Sequence, residues 1–419
     1  MNKNHLIVAL IILIFFVISF LTNILGPIIP DLIASFDLSL ALAGFLPFAF
    51  FVAYGVMSIP AGLLVDRYKE KKVLLLAFSF AFVGALLFAL LPSFSIAMLS
   101  LFLIGVGMAM LQVVINPLLR TSGGEAHFAF NSVLGQLAFG GASFLSPMLY
   151  SYLVRNLGEA DSPSLVQLLA QAVPEGMKWL SLYWVFAAIA LLMLAVISLV
   201  RFPSVELRAD EKVDLSAAFG SLSRQRTVWL FFIGIFCYVG TEQGIANWIS
   251  KFLQTYHQLD PAVEGAQAIS YFWGLLTLGC LLGLILLKVF DSRKVLMLFT
   301  AAAMISLALG LFGSAHLAII CFPLTGFFAS VMWSIIFSLA LNSVPQHHGT
   351  FSGILCTAIA GGAIFPLVVG VLGDWIGLRL AMLFLMLPLA YIFSIGIWAK
   401  PLINNATIST FKELLKPGN

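Results

Sequence analysis

From Leu6 to Ile29 the chain carries no charged residue, and eleven further stretches of similar length and apolarity follow. About 20 consecutive apolar residues are what one helix needs to cross the hydrocarbon core of a bilayer. In that core the backbone polar groups must be satisfied within the protein, which at this length means helix. The spans read from the sequence are 6–29, 41–65, 73–91, 94–119, 128–154, 179–201, 227–250, 267–288, 294–313, 315–342, 350–373 and 378–399. No cleavage site of small residues ends the first run, which predicts a retained span. Of 419 residues 61% are hydrophobic and 9% charged, against roughly 25% charged in soluble domains. The sequence therefore reads as an all-α polytopic membrane protein of twelve transmembrane helices, with the lipid bilayer as its solvent.

Charge and motif content exclude other classes. Net charge is +3 with no long basic run, so nucleic acid is not an expected partner. Cys237, Cys280, Cys321 and Cys356 are isolated within apolar segments, without metal spacing or an expected disulfide. No Ser/His/Asp set and no phosphate loop stands out, so neither an enzyme nor a cofactor is expected. With both termini cytoplasmic, every Lys and Arg except Arg155, Lys178, Lys251 and Arg379 falls on the inside.

The chain repeats itself. Phe139-Gly140-Gly141-Ala142-Ser143-Phe144 is echoed by Ala360-Gly361-Gly362-Ala363-Ile364-Phe365, and Lys71-Lys72-Val73-Leu74 by Arg293-Lys294-Val295-Leu296. The polar stretch between the sixth and seventh spans divides the copies. The expected organisation is a six-helix bundle over 1–201, a cytoplasmic linker over 202–226, a second bundle over 227–400 and a cytoplasmic tail over 401–419. Between Arg155 and Lys178, Leu165-Val166-Gln167-Leu168-Leu169 reads as a short amphipathic helix on the outer face.

Glu242 is an acid in the middle of the seventh span, within Tyr238-Val239-Gly240-Thr241-Glu242-Gln243. A charge there costs at least ~3 kcal/mol on insertion scales, so it marks a functional position. Hydrogen-bonding and aromatic residues fall at similar depth: Gln112, Asn116, Gln136, Gln243, Asn247 and Asn342, with Tyr238, Trp248, Trp273 and Trp333. Gln112 and Asn116 share one helix face, as do Gln243 and Asn247. Asn116-Pro117 is expected to break its helix and free a carbonyl. The bland reading is that such amides only glue helices, at ~0.6 kcal/mol each, and that Trp273 is an interfacial anchor. Glu125, His127 and His347 are expected at helix ends or loops without special function, and Asn405-Ala406-Thr407 is expected to be a chance glycosylation triplet.

Two levels of resemblance follow. Gly62-Leu63-Leu64-Val65-Asp66-Arg67-Tyr68-Lys69 resembles the loop signature of the major facilitator superfamily, whose fold sets two pseudo-symmetric six-helix bundles around a midplane site. The resemblance implies a gate at Gly62, Asp66 and Arg67, although Lys69 stands where the motif prefers glycine. Leu111-Gln112-Val113-Val114-Ile115-Asn116-Pro117, Tyr238-Val239-Gly240-Thr241-Glu242 and Ala340-Leu341-Asn342-Ser343 further resemble the fucose–galactose–hexose symporters. That family implies a monosaccharide substrate, cation symport, a bacterial inner membrane and, as expected here, a monomer. Its acid before I-L-I-P is Gly26 in this chain, and Gln112 stands where an acid is often found. Glu242 is then the acid left for coupling, with Thr241 and Asn116 as further ligands. The missing proton acids tilt the expectation toward Na⁺ over H⁺. An exporter of drugs or metabolites and a non-transporting sensor stay open as alternatives.

Overall fold

The computed structural model describes residues 5–123, 128–159, 161–202, 220–345 and 348–402. Twelve helical spans follow one another. They are α1 (His5–Thr22 and Leu25–Phe36), α2 (Leu40–Tyr68), α3 (Glu70–Leu90), α4 (Phe94–Gly123), α5 (Phe128–Asn156) and α6 (Ser181–Leu199, entered by the turn Lys178–Leu180). The second six are α7 (Arg226–Ala246 and Ile249–His257), α8 (Ala266–Val289), α9 (Ser292–Phe312), α10 (Ala315–Ala329 and Met332–Leu341), α11 (His348–Thr357 and Gly361–Ile376) and α12 (Leu378–Leu383 and Met386–Trp398). Large apolar side chains such as Leu192, Leu298, Ile305 and Leu387 stay exposed on the outside of these spans. Only lipid makes such a surface stable.

Each predicted span coincides with a helix, and the surface helix appears as Ser164–Ala172, with Leu165 and Leu168 outward and Val166 buried. Two local expectations are corrected. α4 runs through Pro117 without a break, and Thr121 Oγ1 donates back to the Pro117 carbonyl at 3.0 Å. α1 continues past Pro30 to Phe36, seven residues beyond the predicted limit of 29, which brings Asp31 into the span.

Buried side chains separate into two cores, one built almost wholly from α1–α6 and one from α7–α12. The internal repeat is visible in their chemistry. Lys71 at the start of α3 donates to the Ser198 and Val200 carbonyls ending α6, both at 2.8 Å. Arg293 at the start of α9 donates to the Ala399 carbonyl ending α12 at 3.4 Å. In each half a cation meets the negative end of the sixth helix's dipole. Arg293 also pairs with Asp291 at 3.1 Å, which holds that carboxyl below its usual range.

The first helix of each half is broken at an asparagine. In α1, Pro27 has no N–H to offer the Asn23 carbonyl four residues back, and the helix resets at Leu25. In α7, Asn247 Nδ2 turns back onto the Gln243 carbonyl at 2.8 Å, a local bond that competes with the helix ladder. The two breaks touch: a Cβ on Gly26 would collide with the Ala246 carbonyl. A side chain at position 26 has no room in this arrangement.

The loops carrying Arg67–Lys72 and Asp291–Lys294 define a basic face, and the α1–α2 and α7–α8 connections define the opposite one. Lys69 sits between α2 and α3 at φ 68° and ψ 163°, backbone that glycine tolerates and other residues occupy at a cost of about 1–3 kcal/mol. The glycine of the resembled motif thus has a conformational reason, and this chain departs from it with strain. Lys69→Gly is expected to raise the thermal unfolding midpoint in detergent by a few degrees. An unchanged or lowered midpoint would place the relief elsewhere.

Candidate functional site

Between the two halves, at mid-depth and toward the basic face, lies a cavity of about 510 Å³. Its wall from the first half is Thr22 and Asn23 at the α1 break, Phe51 and Tyr54 of α2, Gln112 of α4, and Ser132, Gln136 and Ser143 of α5. From the second half come Tyr238, Glu242 and Gln243 of α7, Trp273, Thr277 and Cys280 of α8, and Ser330, Trp333 and Ser334 of α10. The lining is apolar with a few convergent polar groups, as binding sites for small polar ligands are.

Glu242 is the one acid among the described residues of this wall. Tyr238 Oη donates to its Oε2 at 2.5 Å and Gln243 Nε2 to its Oε1 at 3.3 Å. Asn247 Nδ2 donates in turn to Gln243 Oε1 at 3.2 Å, so a chain of hydrogen bonds along α7 links phenol, carboxylate and two amides. No cation pairs with Glu242 among the described residues. The ring of Trp333 lies against Tyr238 with centroids 6.1 Å apart and stacks on Phe337 at 5.8 Å. Across the cavity, Asn23 Nδ2 donates to Ser143 Oγ at 2.9 Å, and Ser143 Oγ meets Ser19 Oγ at 2.5 Å. Ser132 Oγ, Trp273 Nε1 and Ser330 Oγ are buried in the wall without a protein partner. Orphaned polar atoms around a cavity are groups a ligand can satisfy.

Several sequence expectations meet here. Gln112, Gln136, Tyr238, Glu242, Gln243, Trp273 and Trp333 all line the cavity. Trp248 does not: just past the α7 break its ring turns into the core, fully buried, with Nε1 on the Pro366 carbonyl at 3.0 Å. Asn247 donates to Gln243 and supports it, and Thr241 is buried with its hydroxyl unpartnered and is not part of the cavity lining. Asn342 sits at the basic-face end of α10, where its carbonyl accepts from Leu402 N at 2.7 Å. The backbone of Asn116 and Asp66 is helical, but their side chains lie outside what is described, as do Glu125, His127, His347 and Asn405. At the expected gate nothing lies within 4 Å of where a Gly62 Cβ would sit, and Arg67 is exposed with its guanidinium 5.3 Å from the Tyr68 ring.

Other residues escape the sequence reading. Thr22, Asn23, Ser132, Ser143, Thr277 and Ser330 are small polar residues of a kind common in membrane helices. The signal that picks out Asn23 is its place four residues before Pro27. Asp31 is a second acid within a span, so Glu242 is not alone: Tyr150 Oη donates to its Oδ2 at 2.5 Å. It lies toward the opposite face, away from the cavity wall.

The cavity closes toward the opposite face. There Gly44 of α2 abuts Leu367 of α11, and Gly274 of α8 abuts the Phe144 ring of α5. At mid-depth Gly140 of α5 abuts Thr277 of α8. Toward the basic face the same helices diverge, and Leu284, Ser334 and Ser338 are exposed.

Two six-helix halves closing on a mid-depth cavity with a few convergent polar groups define a secondary membrane transporter. The sequence profile of the Major Facilitator Superfamily matches residues 11–365, and the chain belongs to that superfamily and, within it, to the fucose–galactose–hexose symporter family. It is 32% identical over 394 residues to a glucose/galactose transporter of Brucella abortus, covering 92% of each chain. It is 26% identical over 386 residues to the L-fucose-proton symporter of Escherichia coli, covering 88% of this chain and 87% of that protein. The solved structure of the latter, FucP, matches 95% of this chain with a TM-score of 0.66 at 23% identity. A bacterial homologue of the lysosomal transporter Spinster, solved in an inward-facing conformation, covers 94% of this chain and 97% of its own with a TM-score of 0.80 at 15% identity. These structures share the fold.

Cys280 is exposed on the cavity wall, whereas Cys237 and Cys321 are buried. A membrane-impermeant maleimide applied from the basic face is therefore expected to label Cys280 first, and Cys280→Ser to remove most of the signal. Labelling from the opposite face alone would mean that the cavity opens there.

Proposed function

We propose that the protein imports a hexose-type monosaccharide by proton symport, through alternating access of two bundles around the central cavity. The observation that carries this is the pairing, in one wall, of an acid without a basic partner and an amide–hydroxyl–indole surface. An ionised carboxylate in an apolar cavity is costly alone, so Glu242 asks for a cation that travels with it. Sugar hydroxyls suit Gln112, Gln136, Gln243, Asn23 and the orphaned Ser132 and Trp273, and an indole such as Trp333 suits a sugar's apolar face. The Brucella and Escherichia relatives carry glucose/galactose and fucose in their names, in agreement with this reading.

Between the ions, the surroundings of Glu242 favour the proton. Both carboxylate oxygens already accept from protein donors, the Tyr238 phenol and the Gln243 amide, which steadies the anion but takes up lone pairs a metal cation would need. A hard cation needs a shell of several oxygen atoms, and Thr241, one of the expected ligands, is not part of the cavity lining. The relative from Escherichia coli is a proton symporter by name. On the same reading the basic face is cytoplasmic, the conformation is inward-open, and the bilayer is a bacterial inner membrane crossed by a monomer. The bundles span 1–201 and 227–400, joined through 202–226, with a tail over 401–419. Gly62, Asp66 and Arg67 would close the cytoplasmic side in the outward-open state.

Uptake of labelled glucose, galactose, mannose and fucose into proteoliposomes tests the reading. An imposed proton gradient is expected to drive accumulation of at least one of them. Glu242→Gln is expected to abolish accumulation while leaving exchange down a sugar gradient. Accumulation driven by sodium alone would restore the Na⁺ assignment, and no hexose movement under any gradient would favour an exporter. Trp333→Ala should weaken sugar binding by roughly 10- to 100-fold, the worth of a lost ring contact and its burial. Trp248→Ala should leave the affinity alone and lower the thermal midpoint, as loss of a fully buried indole does. The opposite assignment of effects would move the sugar to the other side of α7.

A further inference from the structure

α2 and α11 come from different halves, run antiparallel and share one of the largest interfaces in the molecule. Each therefore ends beside the other's beginning. Both end in the same pattern: α2 in Gly62-Leu63-Leu64-Val65-Asp66 and α11 in Gly370-Val371-Leu372-Gly373-Asp374. At the opposite face the second pattern is engaged. Asp374 accepts the Leu40 N–H at 2.8 Å on Oδ1 and the Ala41 N–H at 2.9 Å on Oδ2. Ser39 completes the turn, its Oγ taking the Leu42 N–H at 3.2 Å and its carbonyl the Ala43 N–H at 3.0 Å. Three orphan donors of α2's first turn, the N–H groups of Leu40, Ala41 and Leu42, are thus satisfied, two of them by a carboxylate from the other bundle, and the Ala43 bond begins the regular ladder. The negative charge also sits at the positive end of the α2 dipole. Gly370, one turn before Asp374, permits this approach, because a Cβ there would strike the Leu40 carbonyl. At the basic face the glycine of the first pattern touches nothing.

We infer that Asp374 is a gating residue of the opposite face, the reciprocal of the Asp66 latch. Its two-oxygen cap ties α11 to α2 while the cavity faces the basic side, and it must release both N–H groups before the opposite side can open. The two Gly-x-x-x-Asp endings then alternate: one caps its partner helix while the other is apart. The inference rests on the alternating-access reading, but not on the sugar or the coupling ion.

The test reads the conformational equilibrium directly. Spin labels at Ala34→Cys on α1 and Thr255→Cys on α7, both exposed at the opposite face, report its opening by pulsed electron resonance. The full chain, with its native cysteines replaced by serine, is held in lipid nanodiscs without sugar or gradient. Asp374→Ala is expected to raise the ratio of long to short distances by roughly tenfold, the effect of losing charge-assisted bonds in one state. Asp374→Asn should shift it less, and Asp66→Ala should shift it the other way. An unchanged distribution in Asp374→Ala would overturn the inference, even if the thermal midpoint fell, because the carboxylate would then only cap a helix. The same shift in Asp66→Ala would overturn it too. Failure of sugar uptake, by contrast, would leave these distances as they are and would fault the substrate reading alone.

Discussion

Every backbone polar group within the bilayer must find a partner inside the protein, and this molecule interrupts its helices only where it can meet that demand. At the α1 break, the Asn23 carbonyl released by Pro27 lies beside a cluster in which Asn23, Ser19 and Ser143 bond one another. At the α7 break, Asn247 caps its own helix and Trp248 reaches the Pro366 carbonyl. At the α10 break, the Ser330 carbonyl accepts from Cys280 Sγ at 3.3 Å, across the Gly279 and Gly283 face of α8. Irregular backbone at membrane depth is tolerated where it faces protein or a cavity. Here the same irregularities build the cavity, since the α1 and α10 breaks supply part of its wall.

The close packing of the opposite face follows from glycine. At Gly26, Gly44, Gly274 and Gly370 an added Cβ would meet an atom of a helix from the other half. Small residues let helices approach when no hydrophobic force between them favours association in lipid. Such contacts hold as a group or part as a group, because a rigid helix that tilts loses them together. A molecule held by them has two packed arrangements and little between, which is what alternation of access requires.

The twelve spans were legible in the sequence because a bilayer imposes one length and one polarity on each. The repeat was legible too, since Lys71 and Arg293 stand in equivalent loops and do equivalent work on helix ends. The cavity wall was legible where a residue was conspicuous, as Glu242, Gln112 and Trp333 are among leucines and phenylalanines. It was not legible where depth alone had to choose between faces of a helix. Trp248 and Trp273 both fall within apolar spans, yet past the break in α7 the Trp248 ring turns into the core. Asp31 was hidden by Pro30, which reads as the end of a helix and is only a kink within one. Serines and threonines carried no signal, being acceptable on any face.

The carboxylate and the hydroxyl-binding groups share one face of α7, and on the proposed function that adjacency is the mechanism of coupling. Gln243 donates to Glu242 with its amide nitrogen and accepts from Asn247 with its oxygen. A sugar hydroxyl that draws on Gln243 therefore competes with, or replaces, a bond to the carboxylate. A proton on Glu242 changes what Tyr238 and Gln243 can offer the sugar in return. Neither ligand needs to touch the other for its affinity to depend on the other's presence, and the dependence is equal in both directions. Coupling of this kind moves the equilibrium between open faces only if the doubly occupied site is better matched to one closed arrangement than the empty site is. On the proposed function the α1 break is where that difference would arise, because Thr22 and Asn23 belong to the other bundle and line the same cavity as the α7 groups.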